Sequence, residues 1–391
     1  MRWLSFHGIP LWRDVRVLRA AVQIVSAVLA VTIVVFFIDN LFSAADKRGL
    51  AMGFGFLSEE AGFPIGESVL AYEESDSFQY AFLAGVVNTL KAALLGIVLA
   101  TVLGIVVGVA RLSNNWLVGK IAGVYVEFFR NIPLLVQLFF WYFGVFLLLP
   151  KVRDSIQWPG PVYLNNRGVF FPWGEPSSSF VPWLIVVAGG FVLALAVRAY
   201  LARYQDRSGR TAYPNLAALA TLILVAAIGW IAVGQSPLSR EVPVLGTFNF
   251  QGGAHLSPEF MALLVGLVIY TAAFIAEIVR AGIQSVPRGQ VEAAKALGLG
   301  DMEILVTVVF PQALPVIIPP MISQYLNLTK NSSLAAAIAY PDLFSIGKIM
   351  INQAGRAVPV FMLIMAAYLS MSLVYAVIGN LYNRHVRFSR R

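Results

Sequence analysis

The feature that most limits what this chain can become is a recurring run of apolar residues long enough to cross a bilayer. An apolar helix of about 20 residues spans the hydrocarbon core, and the sequence offers eight such runs. They cover Ala21–Ile38, Tyr80–Ala110, a third ending near Leu149, Val181–Ala199, Asn215–Val233, Ser257–Val279, Ile304–Leu328 and Val358–Asn380. Of the 391 residues 59% are hydrophobic and 12% charged, less charge than a soluble chain of this size carries. The expected fold class is all-α, a polytopic membrane protein of about eight transmembrane helices. The first run is longer than the apolar core of a signal peptide and no clean cleavage pattern follows it, so it reads as a retained span. In the second run Gly104 and Gly108 stand four apart, a small-residue face for close helix contact.

Charge then sets the expected orientation. Eight spans put both termini on one side, where residues 1–20, 111–130, 198–210, 280–295 and the tail hold 18 Lys and Arg. The opposite loops hold 9, and Lys91 lies within a span. The positive-inside rule places both termini in the cytoplasm. Residues 1–20, with Arg2, Arg13, Arg16, Arg19, Trp3 and Trp12, read as an interfacial lead-in, and Arg384, Arg387, Arg390 and Arg391 as a basic tail. Asp39–Gln79, with eight Asp or Glu against Lys47 and Arg48, reads as an acidic outer loop. Residues 150–180 read as a Pro-, Gly- and Trp-rich rim loop, and 234–257 as a further loop. The net charge of +8 is thus a topology signal facing anionic membrane lipid, with no nucleic acid as partner. The chain has no cysteine, and His7, His255 and His385 lie far apart. Neither disulfides nor a metal site is expected.

One cytoplasmic stretch, Ser285 to Pro311, is polar and small where its flanks are apolar. Pro287 suits a first helical turn, Val291–Leu297 is rich in helix formers, and Gly298 fits a left-handed stop. Asp301 is placed to cap the next helix. Ala293, Ala294 and Ala296 bury little area, so such a helix suits docking, with Glu292 as one directed charge. An ordinary capped loop helix fits these residues equally well.

The spacing Glu292-Ala293-Ala294, three residues, Gly298, nine residues, then Val308-x-Phe310-Pro311 resembles the Glu-Ala-Ala loop of permease subunits of bacterial ABC importers. Val308 and Phe310 replace the family's Ile and Leu. The resemblance implies that Glu292, Ala293, Ala294, Gly298 and Pro311 couple this chain to a separate ATPase subunit. Two further segments are similar to polar amino acid permeases: Tyr125-x-Glu127-x-x-Arg130-x-x-Pro133-Leu134-Leu135-x-Gln137, and Phe274 to Ile283 with Glu277 and Arg280. The layout resembles the larger permease of general L-amino acid ABC importers, a five-span core with three added spans. Four segments follow. Residues 1–79 give a span plus an acidic periplasmic loop, and 80–150 the N-terminal portion of the permease core. Residues 151–257 are an inserted two-span segment with loops, and 258–391 complete the core and carry the coupling loop. The implied partners are an ABC ATPase dimer, a second related permease forming a heterodimer, and a periplasmic amino acid-binding protein, all at the bacterial inner membrane.

No Gly-x4-Gly-Lys-[Ser/Thr] phosphate loop is present, so ATP-Mg would sit on the partner and this chain holds no cofactor. Neither His-Glu-x-x-His nor Gly-x-Ser-x-Gly occurs, and no catalytic residue is expected. Polar residues at bilayer depth are costly and face a cavity or a partner helix. Gln324, Asn327, Lys330, Asn331 and Ser332 are the candidate substrate path. Gln324, Asn327 and Asn331 share one helix face by their spacing. Interhelical contact between paired permeases is the other reading of the same residues. Related subunits often read Lys-Asp-Thr-Ser-Leu where this chain has Lys330-Asn331-Ser332-Ser333-Leu334, which argues against a strictly basic substrate. An ion-coupled secondary transporter is the alternative function, and a membrane scaffold a third. Ion coupling would call for membrane-buried acids, whereas nearly every carboxylate here stands near a span end or in a loop.

The orientation is testable because the chain lacks cysteine. Single cysteines replacing Ser75 and Ser178 should react with an impermeant thiol reagent in intact spheroplasts, and one replacing Ser208 should not. The reverse pattern would overturn the eight-span map.

Overall fold

The computed structural model describes residues 5–6, 9–10, 15–47 and 52–388. The expected lead-in residues Arg2, Trp3, Trp12 and Arg13, together with His7, Arg48, Arg390 and Arg391, lie outside the described residues. After a short hairpin, β1 (Ser5–Phe6) with β2 (Ile9–Pro10), come α1 (Val15–Lys47), α2 (Phe78–Ala110), α3 (Trp116–Asn131) and α4 (Leu134–Gly144). Four strands follow: β3 (Ile156–Trp158), β4 (Val162–Asn165), β5 (Gly168–Phe171) and β6 (Trp173–Pro176). Helices α5 (Phe180–Ser208) and α6 (Pro214–Ala232) precede β7 (Leu238–Glu241), β8 (Val244–Leu245), β9 (Phe250–Gln251) and β10 (Ala254–Leu256). The chain closes with α7 (Pro258–Gln284), α8 (Arg288–Ala296), the single turn α9 (Asp301–Glu303), a π-helical turn (Ile304–Val309), α10 (Phe310–Asn331), α11 (Leu343–Ala354) and α12 (Ala357–Phe388). Among the described residues seven helices are long and apolar enough to cross a membrane, or up to eight if α3 and α4 count as one broken span.

Two compact units divide the chain, Asn131–Gly266 and the remainder. In the first, β10-β5-β4-β3 form a four-stranded antiparallel sheet and β6 pairs with β7. Tyr163, Phe170, Phe250 and His255 stack on this sheet, His255 at 4.4 Å from the Phe170 ring centroid. α5 and α6 form a tight helical hairpin in which a Cβ on Gly190 would fall 2.6 Å from Val225 and one on Gly229 2.7 Å from Val186. The indole N–H of Trp183 donates to the Ala226 carbonyl at 3.0 Å, across the same contact.

The second unit is built on α2. Gly104 and Gly108 meet α7: a Cβ on Gly104 would lie 2.6 Å from Ile275, and one on Gly108 2.7 Å from the Ala276 carbonyl. Toward its start α2 packs on α11, and Phe56, Phe63 and Phe78 close a core with Ile346, Met350 and Val360. The acidic segment is thereby folded onto the helices. Arg111 and Glu277 therefore meet at the C-terminal end of α2, while the 52–77 segment and α11 gather at its start.

Several boundaries differ from expectation. The third span is two helices, because Pro133 brings no N–H to the ladder and the residue before it is biased out of the helical region. α1 extends to Lys47, so Asp39 and Asp46 are helical rather than in a loop. Arg198, Arg203 and Arg207, expected in a basic loop, belong to the last turns of α5. The supposed loops 150–180 and 234–257 carry eight short strands. Their pairing across distant sequence satisfies the backbone in ways no local pattern announces.

The α2–α7 contact makes a clear prediction. Gly108→Leu should cost ~1–3 kcal/mol through overpacking against a backbone carbonyl that cannot move aside. Gly123→Ala, where an added Cβ meets nothing within 4 Å, should leave stability unchanged or slightly raised. Thermal unfolding of the detergent-solubilised protein separates them, and equal midpoints would contradict the close contact.

Candidate functional site

The stretch singled out above folds as the nine-residue helix α8. Pro287 stands just before it with φ −57° and ψ 134°, one position earlier than a first-turn proline, and its carbonyl accepts Gln290 N–H at 3.0 Å. Gly298 adopts φ +81°, the left-handed stop expected of it. The next helix is capped differently from expectation. Gly300 holds the cap position and its N–H donates to the Glu303 carboxylate at 3.1 Å. Asp301 instead lies 3.5 Å from Lys295 Nζ, both well exposed, a pair that adds little stability.

α8 has two unlike faces. Ala294 is buried, and the helix packs on the π turn, whose Ile304 and Val309 are buried. Glu292 and Ala293 face outward, and beyond them Leu297 is 82% and Met302 71% exposed. Among the described residues Glu292 has no ion-pair partner. Pro311 stands in the first turn of α10, and Gln312 next to it donates to the Val308 carbonyl at 3.0 Å and reaches Gln290 of α8 at 3.5 Å.

A charge cluster fixes the root of α8. Glu277 of α7 bonds both Arg111, at the end of α2, and Arg280, one turn on. Arg280 in turn donates to Gln284 at 2.6 Å, and the Arg130 guanidinium lies 5.0 Å from the Phe274 ring centroid. The motif residues Arg130, Phe274, Glu277 and Arg280 thus come together, while Glu127 is exposed. Sequence reasoning missed Arg111 as their partner, since 166 positions separate it from Glu277.

The candidate path residues divide. Lys330 and Ser333 line a cavity of about 660 Å³ with Met362, Met365, Tyr368 and Leu369, whereas Gln324, Asn327 and Asn331 are not among its lining residues. Ser332 is buried and donates to the Thr329 carbonyl at 2.7 Å. A second, apolar cavity of about 350 Å³ opens beside Tyr325, Tyr375 and Thr101, whose hydroxyls are spoken for: Thr101 with Tyr325 at 2.9 Å and Thr329 with Tyr375 at 3.1 Å.

A polar knot at the other end of α2 also escaped the sequence. Asn88 donates to the carbonyls of Glu67 (2.8 Å) and Pro341 (2.9 Å) and accepts from Val69 N–H at 3.1 Å. Lys91 pairs with Glu67 at 2.6 Å, and Thr89 accepts Leu343 N–H at 2.9 Å. Three polar residues within one turn of an apolar span were the available signal.

The cluster at Glu277 can be tested by a double-mutant cycle. Its side chains are 19–28% exposed, so Glu277→Gln should cost ~1–2 kcal/mol, between the values for surface and buried pairs. Crossed with Arg111→Gln it should show a coupling above ~0.5 kcal/mol. Strict additivity would remove the link between α2 and α7.

Comparison with known proteins identifies the family. Residues 100–388 match the family described as "Binding-protein-dependent transport system inner membrane component". The general L-amino acid transport system permease protein AapQ of Rhizobium johnstonii is 42% identical over 373 residues, covering 94% of this chain and 92% of that protein. The glutamate/glutamine/aspartate/asparagine transport system permease protein BztB of Rhodobacter capsulatus is 38% identical over 417 residues, covering 97% and 96%. Such relatives do not favour the ion-coupled alternative, and the family implies an ATPase partner and pairing with a permease. This chain belongs to the family of inner membrane components of binding-protein-dependent transport systems, as the multi-pass permease subunit of an ATP-driven importer whose ATP is hydrolysed by a partner.

Proposed function

We propose that this permease carries L-amino acids inward and takes its energy through α8. The observation that carries the reading is the two-faced helix itself. One side of α8 is sealed on the π turn, while Glu292, Ala293, Leu297 and Met302 form an outward tip with one unpaired charge. A charge set among small and apolar residues suits a groove on a partner, where apolar contact supplies area and the charge supplies register. The partner in this reading is the ABC ATPase dimer, which holds the ATP-Mg. Gly298 lets the chain turn away from the groove, and Pro311 opens the span that receives the motion.

The substrate class rests on the relatives, whose names state amino acid transport. In the same reading a periplasmic binding protein delivers substrate at the end formed by the 52–77 segment. A second, related permease completes the passage, with both termini in the cytoplasm and the basic segments against anionic lipid. Gln324, Asn327, Lys330, Asn331 and Ser332 belong to the path, with Asn331 favouring zwitterions of neutral or acidic side chain, since an amide both donates and accepts.

The coupling role is tested by Glu292→Arg in the assembled complex in lipid. Insertion and assembly should be normal, while hydrolysis stimulated by loaded binding protein falls about tenfold or more, because reversing an interface charge costs about 2 kcal/mol or more. Full stimulation with normal uptake would refute it.

A further inference from the structure

We propose that the cytoplasmic end of the α5–α6 hairpin is a binding site for the headgroup of an anionic phospholipid, with Arg203 and Arg207 on its phosphate and Tyr200 and Tyr204 beside them. This deepens the reading above that basic segments lie against anionic lipid, and it rests on the orientation given there. Between residues 180 and 232 the charges are Arg198, Arg203, Arg207, Arg210 and the single acid Asp206. Among the described residues none of these four arginines stands in an ion pair. Elsewhere the chain uses its own acids: Glu277 takes both Arg111 and Arg280, and Glu67 takes Lys91. A guanidinium stays charged at every physiological pH, and its planar fork matches the oxygens of a phosphate. The anion for this cluster therefore comes from outside the chain.

The length of α5 sets the depth of these charges. Its 29 residues reach about 43 Å, whereas the hydrocarbon core is about 30 Å thick. Phe180, Trp183 and Trp230 mark one boundary, with ring centroids 5.9 and 5.5 Å apart, since tryptophan gathers where membrane meets water. Arg203 lies about 30 Å along the helix from Trp183, which sets it at the opposite boundary, and Arg207 one turn beyond it among headgroups. Arg198 stands about 8 Å before Arg203, within the hydrocarbon edge, and there its Nε donates to the Asn215 side-chain oxygen at 2.9 Å. Tyr200, Arg203, Tyr204 and Arg207 recur at three and four residues, so they share one face, and all four are exposed. A tyrosine ring suits acyl chains while its hydroxyl suits a headgroup. The same face continues down the helix through Val192 and Ile185, 67% and 68% exposed. An apolar stripe leading up to paired cations fits a lipid, with chains below and phosphate above. A free anion or an acidic protein surface would leave the stripe unused.

The test titrates the complete detergent-purified complex with phosphatidylglycerol or phosphatidylcholine and counts retained lipid by native mass spectrometry. The wild type should hold phosphatidylglycerol in preference, and more weakly as salt is raised. Arg203→Gln combined with Arg207→Gln should lower that preference on the order of tenfold or more, because two cations near the headgroups are lost. Arg203→Lys with Arg207→Lys, which keeps the charge, should retain most of it. Assembly and basal ATP hydrolysis should be unchanged in both, since these side chains are exposed and glutamine and lysine suit a helix about as well as arginine. An unchanged preference in the glutamine variant would overturn the proposal. Loss of the ATPase subunit from that variant would overturn it too, as the mark of a protein contact. So would full displacement of the lipid by inorganic phosphate, the mark of a free-anion site. Labelling of Ser208→Cys in intact spheroplasts would overturn the orientation itself, a result distinct from these three.

Discussion

The close approach of α2 to α7 is the contact on which the packing around α8 depends. Within a bilayer the surrounding hydrocarbon is as apolar as any leucine, so apolar area alone does not hold two spans together. Contact must come from backbones brought near and from polar bonds. Gly104 and Gly108 supply the first by leaving room for Ile275, Val279 and the Ala276 carbonyl. Glu277 supplies the second by holding Arg111 across the same seam. A turn later Gly282 lets Ile317 of α10 come so close that any Cβ at that position would collide with it. The helix that leads into α8 is therefore fixed on two sides before the chain leaves it.

The opposite end of the unit is held by a different kind of bond. A buried amide is tolerated only when its donors and acceptor are used, and Asn88 uses both N–H groups and its oxygen on backbone of two separate segments. It thus ties the 52–77 segment and the turn at Pro341 to one point on α2. Lys91, one turn further in an apolar span, is held by Glu67. Asp342 caps α11 through the Ser345 N–H at 2.9 Å, so the short helix inherits its position from the same knot. One end of α2 is gripped through charge at a span terminus, and the other through amide bonds at depth.

What could be read from sequence was what is local. Span positions followed from apolar runs because a helix closes its own hydrogen bonds, and Gly298 was legible because its left-handed φ is a property of one residue. The cap at Gly300 was misassigned to Asp301 by a single position, since both residue types suit that site. Arg198, Arg203 and Arg207 read as a loop by charge, yet arginine is a good helix former, and α5 carries them onward. The sheets were invisible because β10 pairs with β5, some eighty positions earlier. Likewise the motif residues at Glu277 were marked by resemblance, but Arg111 was not, as only the fold brings it near. Of the polar segment, the spacing rule put Gln324, Asn327 and Asn331 on one face, and the cavity lies beside Lys330 and Ser333 instead.

The span that follows α8 is open to bending at its start. Phe310 N–H bonds the carbonyl of Leu305, five residues back instead of four, which widens the turn just before Pro311. A proline there brings no N–H and crowds the preceding turn, so the π turn accommodates it. Pro315, Pro319 and Pro320 follow within α10, each removing one more rung of the ladder. A helix with these gaps resists bending less than α2, whose apolar run holds no proline. α8 rests on the π turn and touches Gln312 through Gln290, so a displacement of α8 meets the least stiff part of the span first. Beyond the prolines the ladder is unbroken from Met321 to Asn331. In the proposed coupling, compliance in the prolines next to α8 and an intact ladder beyond them make the first half of α10 the part that yields when α8 shifts.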